Sequence, residues 1–204
     1  MVSAAVSGFV VGVVVTLAAL GVFAHSSSQG APPATIPPAT PRPRVAIKAA
    51  VENLATKVLG PSYPDPSKKR LLAVHLIAVD PDLPLHVSTP ATRLLQNYVS
   101  LVIEFRLNDH PLGPTWRARL ARADVFQVMK ALYTSRLPIY NVEMVGMYPL
   151  KSGKKTRVQQ ALVAYLSHTT AATLPWKRFK RTDEGKLWSL LTYRYVNPRF
   201  GSLP

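Results

Sequence analysis

Tyr98-Val-Ser-Leu-Val-Ile-Glu-Phe-Arg-Leu107 carries the clearest structural signal in the chain. Val99, Leu101, Ile103, Phe105 and Leu107 fall on one side of an extended backbone, while Ser100, Glu104 and Arg106 fall on the other. This is the period-two pattern of a strand with one face on a core. Downstream, Asn108-Asp-His-Pro-Leu-Gly-Pro114 is rich in turn formers and breaks the strand. Trp116 to Ser135 then switches to helical spacing, with Val125, Met129 and Leu132 as a core stripe and Arg117, Arg119, Arg122 and Lys130 on its exposed side. Leu137-Pro138 ends this helix, and Ile139 to Pro149 alternates again, with Tyr140, Val142 and Met144 on one face. Lys151-Ser-Gly-Lys-Lys155 is a polar turn leading into Arg157 to Leu166, so these two strands form a hairpin. A last helical segment is predicted over Glu184 to Tyr195, with Leu187, Leu190, Leu191 and Tyr195 inward and Asn197-Pro198 as its stop.

Upstream of the opening stretch, Ile47, Val51, Leu54 and Val58 recur at helical spacing, and Gly60-Pro61 terminates the helix. Leu71 to Val79 is an apolar run interrupted by His75 and reads as a buried strand, with His75 as a hydrogen-bonded core histidine. Asp80 to Pro90 is a connecting loop, with a short helical turn around Ala91 to Gln96. The order is helix, two strands, helix, two strands, helix. It predicts an α+β domain over residues 45–204: an antiparallel sheet of about four strands with helices packed on one face.

Two different segments precede this body. Val2 to Ala24 carries no charged residue and is long enough to cross roughly 30 Å of hydrocarbon as a helix. It reads as a transmembrane helix over residues 1–24, with a cleavable signal peptide as the alternative, since Val22-Phe23-Ala24 fits a cleavage pattern. No Lys or Arg precedes the run and its apolar stretch exceeds a signal core, which favours a retained anchor. Ala4, Gly8, Gly12 and Thr16 share one face of that helix. Gly8 and Gly12 form a GxxxG unit that suits packing against another membrane helix. The nearest cations, Arg42, Arg44 and Lys48, lie downstream at the limit of the positive-inside rule and leave orientation open. Residues 25–44 form a stalk in which Ala31-Pro-Pro-Ala-Thr35 is nearly repeated by Ile36-Pro-Pro-Ala-Thr40, a composition that favours extended polyproline II and forms no core.

Charge is the strongest functional signal. The 204 residues hold 25 Lys plus Arg against 10 Asp plus Glu, a formal net charge of +15. There is no cysteine, which removes disulfides, thiolate metal sites, cysteine nucleophiles and cysteine-linked lipid anchors. Cations concentrate in the C-terminal part of the chain, from Lys151 onward. Lys151, Lys154, Lys155 and Arg157 surround the polar turn, and Trp176-Lys177-Arg178-Phe179-Lys180-Arg181 interleaves aromatics with charge. These residues are the candidate contacts to an anionic surface: lipid headgroups, an acidic envelope polymer, an acidic protein face or a nucleic-acid backbone. The bland alternative is a solvated basic surface with Trp176 and Phe179 serving the core.

Catalytic and cofactor motifs are absent. The chain has no phosphate loop, dinucleotide glycine fingerprint, nucleophile elbow, HExxH or calcium loop. Asp80 and Asp82 flank Pro81 in ordinary turn chemistry. His110 beside Asp109 is the one acid or base candidate, without a nucleophile to serve. No cofactor or metal is expected.

Val102-Ile-Glu-Phe-Arg-Leu-Asn-Asp109, Asp124 through Ile139, Val142-Glu-Met-Val-Gly-Met-Tyr-Pro-Leu150, Trp176-Lys-Arg-Phe179 and Tyr195-Val-Asn-Pro-Arg-Phe200 together carry a resemblance. The stretch is similar to an uncharacterised extracytoplasmic α+β domain of bacterial membrane-anchored or lipoprotein-type surface proteins. The similarity spans most of residues 45–200 and transfers no catalytic residue. It implies an extracytoplasmic location, although this chain lacks a lipobox cysteine and is unusually basic. Three functions follow as expectations. First is a non-catalytic, membrane-anchored interaction module, an accessory subunit docking on membrane-protein partners or an anionic envelope surface. Second is a nucleic-acid-binding module at the membrane, and third an envelope enzyme acting through His110 or Asp80.

Overall fold

The computed structural model describes residues 44–79, 98–152 and 154–201. The expected membrane helix over residues 1–24, with Ala4, Gly8, Gly12 and Thr16, lies outside these residues. So do the stalk before Arg44 and the loop and turn between Asp80 and Gln96. Among the described residues, no helix is long and apolar enough to cross a membrane.

The elements are α1 (Arg44–Leu59), β1 (Leu71–Ala78), β2 (Val99–Arg106), α2 (Pro114–Thr134), β3 (Ile139–Ser152), β4 (Lys155–Leu166), α3 (His168–Thr173), a 3-10 turn (Arg181–Asp183), α4 (Glu184–Leu190) and β5 (Tyr193–Val196). The fold is α+β, as the periodicity predicts. Among the described residues the sheet has five strands, in the order β1-β2-β3-β4-β5. It is mixed rather than antiparallel, because β2 and β3 run parallel while every other pair is antiparallel. The cause is α2. A 21-residue helix between two strands that pair with each other returns the chain to its starting end, so the second strand repeats the first one's direction. Side-chain alternation is the same in both directions and does not reveal this.

β5 is the second correction. The predicted last helix stops at Leu190, and Tyr193–Val196 forms an edge strand on β4. Tyr195, expected inside, is 38% exposed. The Tyr193-Arg-Tyr-Val196 run is aromatic and β-branched and therefore suits a pleated edge.

β2 fulfils its pattern closely: Val99, Leu101, Ile103, Phe105 and Leu107 are buried, and Ser100, Val102, Glu104 and Arg106 are half-buried. The buried side meets Ile47, Val51, Ala55 and Leu59 of α1 and Val125, Phe126, Met129 and Leu132 of α2 within one continuous core. Among the described residues, that core draws on residues 47–200. Each large apolar side chain in it contributes about 1.5–3 kcal/mol of burial. α1 ends where the sequence places its stop: Gly60 adopts φ 64°, and its N–H donates to the Thr56 carbonyl at 3.1 Å. Glycine takes this left-handed conformation without the Cβ penalty. Gly201 answers a different need, since a Cβ there would lie 2.6 Å from the Pro114 carbonyl oxygen at the start of α2.

β1 departs from expectation. Only Val74 of its eight residues is buried, because β1 is an edge strand. His75 is accordingly no core histidine; its side chain is 57% exposed, with Nε2 3.6 Å from a Glu104 carboxylate oxygen.

A charged contact holds the layers in register. Arg70, 4% exposed, donates through Nη1 to the Leu59 carbonyl at 2.5 Å and to Asp124 Oδ1 at 3.3 Å, and through Nη2 to Asp124 Oδ2. Its Nε reaches the Arg106 carbonyl at 3.2 Å, and its own carbonyl accepts from the Arg106 N–H at 2.7 Å. Burial pushes the Asp124 carboxyl up, and the Arg70 guanidinium opposes that shift.

Two outcomes are expected. Asp124→Ala leaves the Arg70 charge buried and unpaired, so urea unfolding should show a loss of about 3–5 kcal/mol. Arg70→Met should cost at least as much, because the Leu59 and Arg106 carbonyls also lose their donor. The second concerns His168, stacked on Tyr140 at 4.6 Å and edge-on to Tyr98 at 6.2 Å. Burial lowers its pKa from 6.5. The unfolded chain therefore binds the proton more readily, and stability falls as pH drops below about 6.5. His168→Gln should flatten this acid-side decline in urea midpoints measured from pH 8 to pH 5.

Candidate anionic-contact surface

The candidate contacts separate into two groups, each held by different elements. The first is the β3–β4 hairpin. β3 and β4 stay paired as far as Ser152 and Lys155, whereas the neighbouring β2 ends opposite Met147. The last residues of the hairpin therefore project past the sheet as a two-stranded arm. A bare hairpin is marginally stable in water, so its base needs support. Tyr148 and Leu150 supply it from the core side, 8% and 4% exposed. The Tyr148 ring sits edge-on to Phe200 at 4.9 Å, and its hydroxyl accepts from Arg117 Nη1 at 3.0 Å. Arg117 also donates to Asp109 Oδ1 at 3.2 Å and to the Phe200 carbonyl at 3.2 Å.

On this supported arm Lys151, Lys154, Lys155 and Arg157 are all exposed. Arg199, absent from the candidates read in the sequence, joins them by donating from Nη1 to the Lys151 carbonyl at 3.2 Å. Its distance along the chain hides it, and only the return of the C-terminal segment past α2 brings it there. None of these cations pairs with a carboxylate among the described residues. Val158, 55% exposed, adds an apolar side chain opposite Pro149 on the same arm.

The second group lies between α3 and α4, where the interleaved aromatics and cations point in opposite directions. Trp176 is 8% exposed and Phe179 4%. The Trp176 indole stacks on Tyr133 at 4.8 Å and donates from Nε1 to the Ala171 carbonyl at 2.8 Å. Phe179 meets Phe126 at 6.0 Å, and its carbonyl accepts from Lys130 Nζ. With the rings turned into the core, Lys177, Arg178, Lys180 and Arg181 stand outside. Trp176 thus positions the loop and leaves surface contact to its charged neighbours. The Lys180 N–H donates to Asp183 Oδ2 at 2.7 Å, which fixes the turn into α4.

The cationic side expected on α2 is mostly turned to structural use. Arg122 lies 3.4 Å from Glu184, with both side chains largely buried, and Arg117 and Lys130 are engaged as described. Arg119 remains outward, 5.0 Å over the Trp116 ring. That ring is 42% exposed and also stacks on His110 at 5.5 Å.

The acid or base candidate is tied into the same corner. Burial acts to raise the Asp109 carboxyl, but the His110 backbone N–H and the Arg117 guanidinium outweigh it and hold the group below its usual range. His110 Nδ1 accepts the Leu112 N–H at 3.1 Å, so the pair orders the loop before α2. Asp80 and Asp82 lie outside the described residues. Among the described residues, no group of three or more potential metal ligands comes together. No family model matches the chain, and neither the curated proteins nor the solved structures contain a match to it.

Proposed function

We propose that this chain is a non-catalytic interaction module, held at a membrane by its N-terminal apolar segment, which docks through the cationic hairpin onto an anionic surface. The carrying observation is how the domain distributes charge. Glu52, Asp65, Asp109, Asp124 and Glu184 each pair with a Lys or Arg, and Asp183 caps a turn. The hairpin cations receive no such partner among the described residues. A run of like charges on a projecting arm repels itself and is relieved when an anionic surface approaches. An accessory subunit of an envelope assembly is the role this fits, and the resemblance over Asp124 to Leu150 supports an extracytoplasmic position.

Each basic residue near an anionic membrane is worth on the order of 1 kcal/mol. Reversing Lys151, Lys154, Lys155 and Arg157 to Glu should therefore weaken binding of residues 44–204 to phosphatidylglycerol vesicles by about a thousandfold or more. Neutral phosphatidylcholine vesicles should bind neither form. Reversing Lys177, Arg178, Lys180 and Arg181 instead tests whether the second group shares the contact. Binding to duplex DNA with a steep salt slope, and none to anionic vesicles, would favour the nucleic-acid reading.

Location has its own test. Ser152→Cys places the chain's one thiol on the hairpin, and an impermeant maleimide should label it in intact cells. Labelling only after lysis would overturn the extracytoplasmic reading.

A further inference from the structure

The parallel pairing of β2 and β3 gathers several segments at one end of the sheet. β2 ends there at Arg106, β1 begins there opposite Phe105, and β3 leaves there into the cationic hairpin. The loops before β1 and after β2 are tied together: the Tyr63 N–H donates to Asn108 Oδ1 at 2.9 Å, and the Asp109 N–H donates to the Tyr63 carbonyl at 3.2 Å. Arg117 joins the second loop to the base of the hairpin through Asp109 and the Tyr148 hydroxyl. Four large apolar side chains protrude from these joined segments. Leu112 is 66% exposed and Tyr63 51%, and Trp116 and Val158 are exposed as well. Single exposed apolar residues are ordinary. Here four share one end with the hairpin cations and with exposed Lys69 and Arg119. The carboxylates of the two loops, Asp65 and Asp109, are each paired with a cation.

Charge complementarity calls for an anionic partner, and the apolar side chains select its kind. Leu112 and Val158 are aliphatic and offer no ring for nucleic-acid bases to stack on, whereas contact with acyl chains takes them out of water. An indole and a phenol combine an apolar body with a polar tip, the chemistry enriched at membrane–water interfaces. Trp116 is also held in place before any contact. It stacks on His110 at 5.5 Å, and the Arg119 guanidinium lies 5.0 Å from its ring, so little side-chain freedom is lost when the ring is buried. A second copy of the chain is opposed by the net charge of +15. An anionic bilayer meets all of these conditions.

We propose that this end of the domain docks on an anionic lipid bilayer, with Leu112 and Trp116 entering the boundary between headgroups and acyl chains. Tyr63 and Val158 lie at the margin of the inserted patch, and Lys69, Arg119 and the hairpin cations meet the headgroup phosphates. This rests on the docking reading above and names its anionic surface as lipid.

The cysteine-free chain lets one thiol report at a time. Leu112→Cys, Thr156→Cys on the hairpin and Thr134→Cys at the far end of α2 are made singly in the full chain. Each is labelled with nitrobenzoxadiazole and reconstituted into phosphatidylglycerol vesicles that carry a nitroxide on either the lipid headgroup or the acyl chain. Thr134 is exposed and lies about 27 Å along α2 from Trp116. The acyl-chain nitroxide should quench the Leu112 label at least about threefold more than the Thr134 label, because an interfacial apolar contact reaches about 5–10 Å into the headgroup and acyl boundary. The headgroup nitroxide should quench the Thr156 label. Adding Trp116→Glu to Leu112→Cys should abolish the acyl-chain quenching, with far-UV circular dichroism unchanged. Headgroup quenching at Thr156 without acyl-chain quenching at Leu112 would overturn the insertion and leave the docking reading intact, whereas quenching at neither would overturn both. A Leu112 label that the acyl-chain nitroxide spares and duplex DNA perturbs would assign this end to nucleic acid and likewise overturn the proposal.

Discussion

The fold turns on a single guanidinium. Arg70 lies between the end of α1, the end of β2 and the middle of α2, and hydrogen-bonds to all three. An arginine suits this place because its planar fork offers several fixed donors while its charge never leaves. A buried charge without a partner is very costly, so Asp124 must face it, and that requirement sets the height of α2 against the sheet. With α2 placed, Val125, Phe126, Met129 and Leu132 fall on the buried side of β2, and the parallel return to β3 follows. A well-packed apolar replacement can match such a pair in stability. The carbonyls of Leu59 and Arg106 would still need a donor, which gives this arginine a second reason to stay.

That geometry also separates two kinds of cation. Arg70, Arg117, Arg122 and Lys130 are half-buried or buried and tie elements together through carboxylates, carbonyls and a tyrosine hydroxyl. Lys151, Lys154, Lys155, Arg157, Lys177, Arg178, Lys180 and Arg181 are exposed. The internal set takes up Asp109, Asp124 and Glu184, so the outward set retains an unbalanced field. Screening confines such a field to about 8 Å at physiological salt, and it therefore acts on surfaces that come close to the hairpin.

Much of this architecture is legible in the sequence. The alternation of Tyr98 to Leu107, the helical stripe through Val125, Met129 and Leu132, and the polar turn at Lys151 to Lys155 each state a local period or break. Local period is what backbone geometry imposes on side chains. The parts that escape a reading of the sequence are those where the same period fits two outcomes. Strand direction leaves no mark on alternation, so the sheet reads as antiparallel until α2 is seen to return the chain. An apolar run reads as buried, yet β1 is an edge. Leu187 to Tyr195 carries a helical spacing, but the last turn of that pattern pairs with β4 instead.

The candidate surface divides in the same way. Composition and charge clustering, set by covalent sequence alone, determined that the chain is strongly basic, lacks thiol chemistry, begins with an uncharged apolar stretch and carries cations around the hairpin and near Trp176. Tertiary structure decided which of those cations stay free. It turned Trp176 and Phe179 into the core, engaged Arg117 and Arg122, brought Arg199 beside Lys151 and left His75 exposed. The physical reason is that burial and pairing depend on groups distant in the chain. A cation is free or engaged according to what the fold sets within a few ångströms of it, and neighbouring residues in sequence do not specify that.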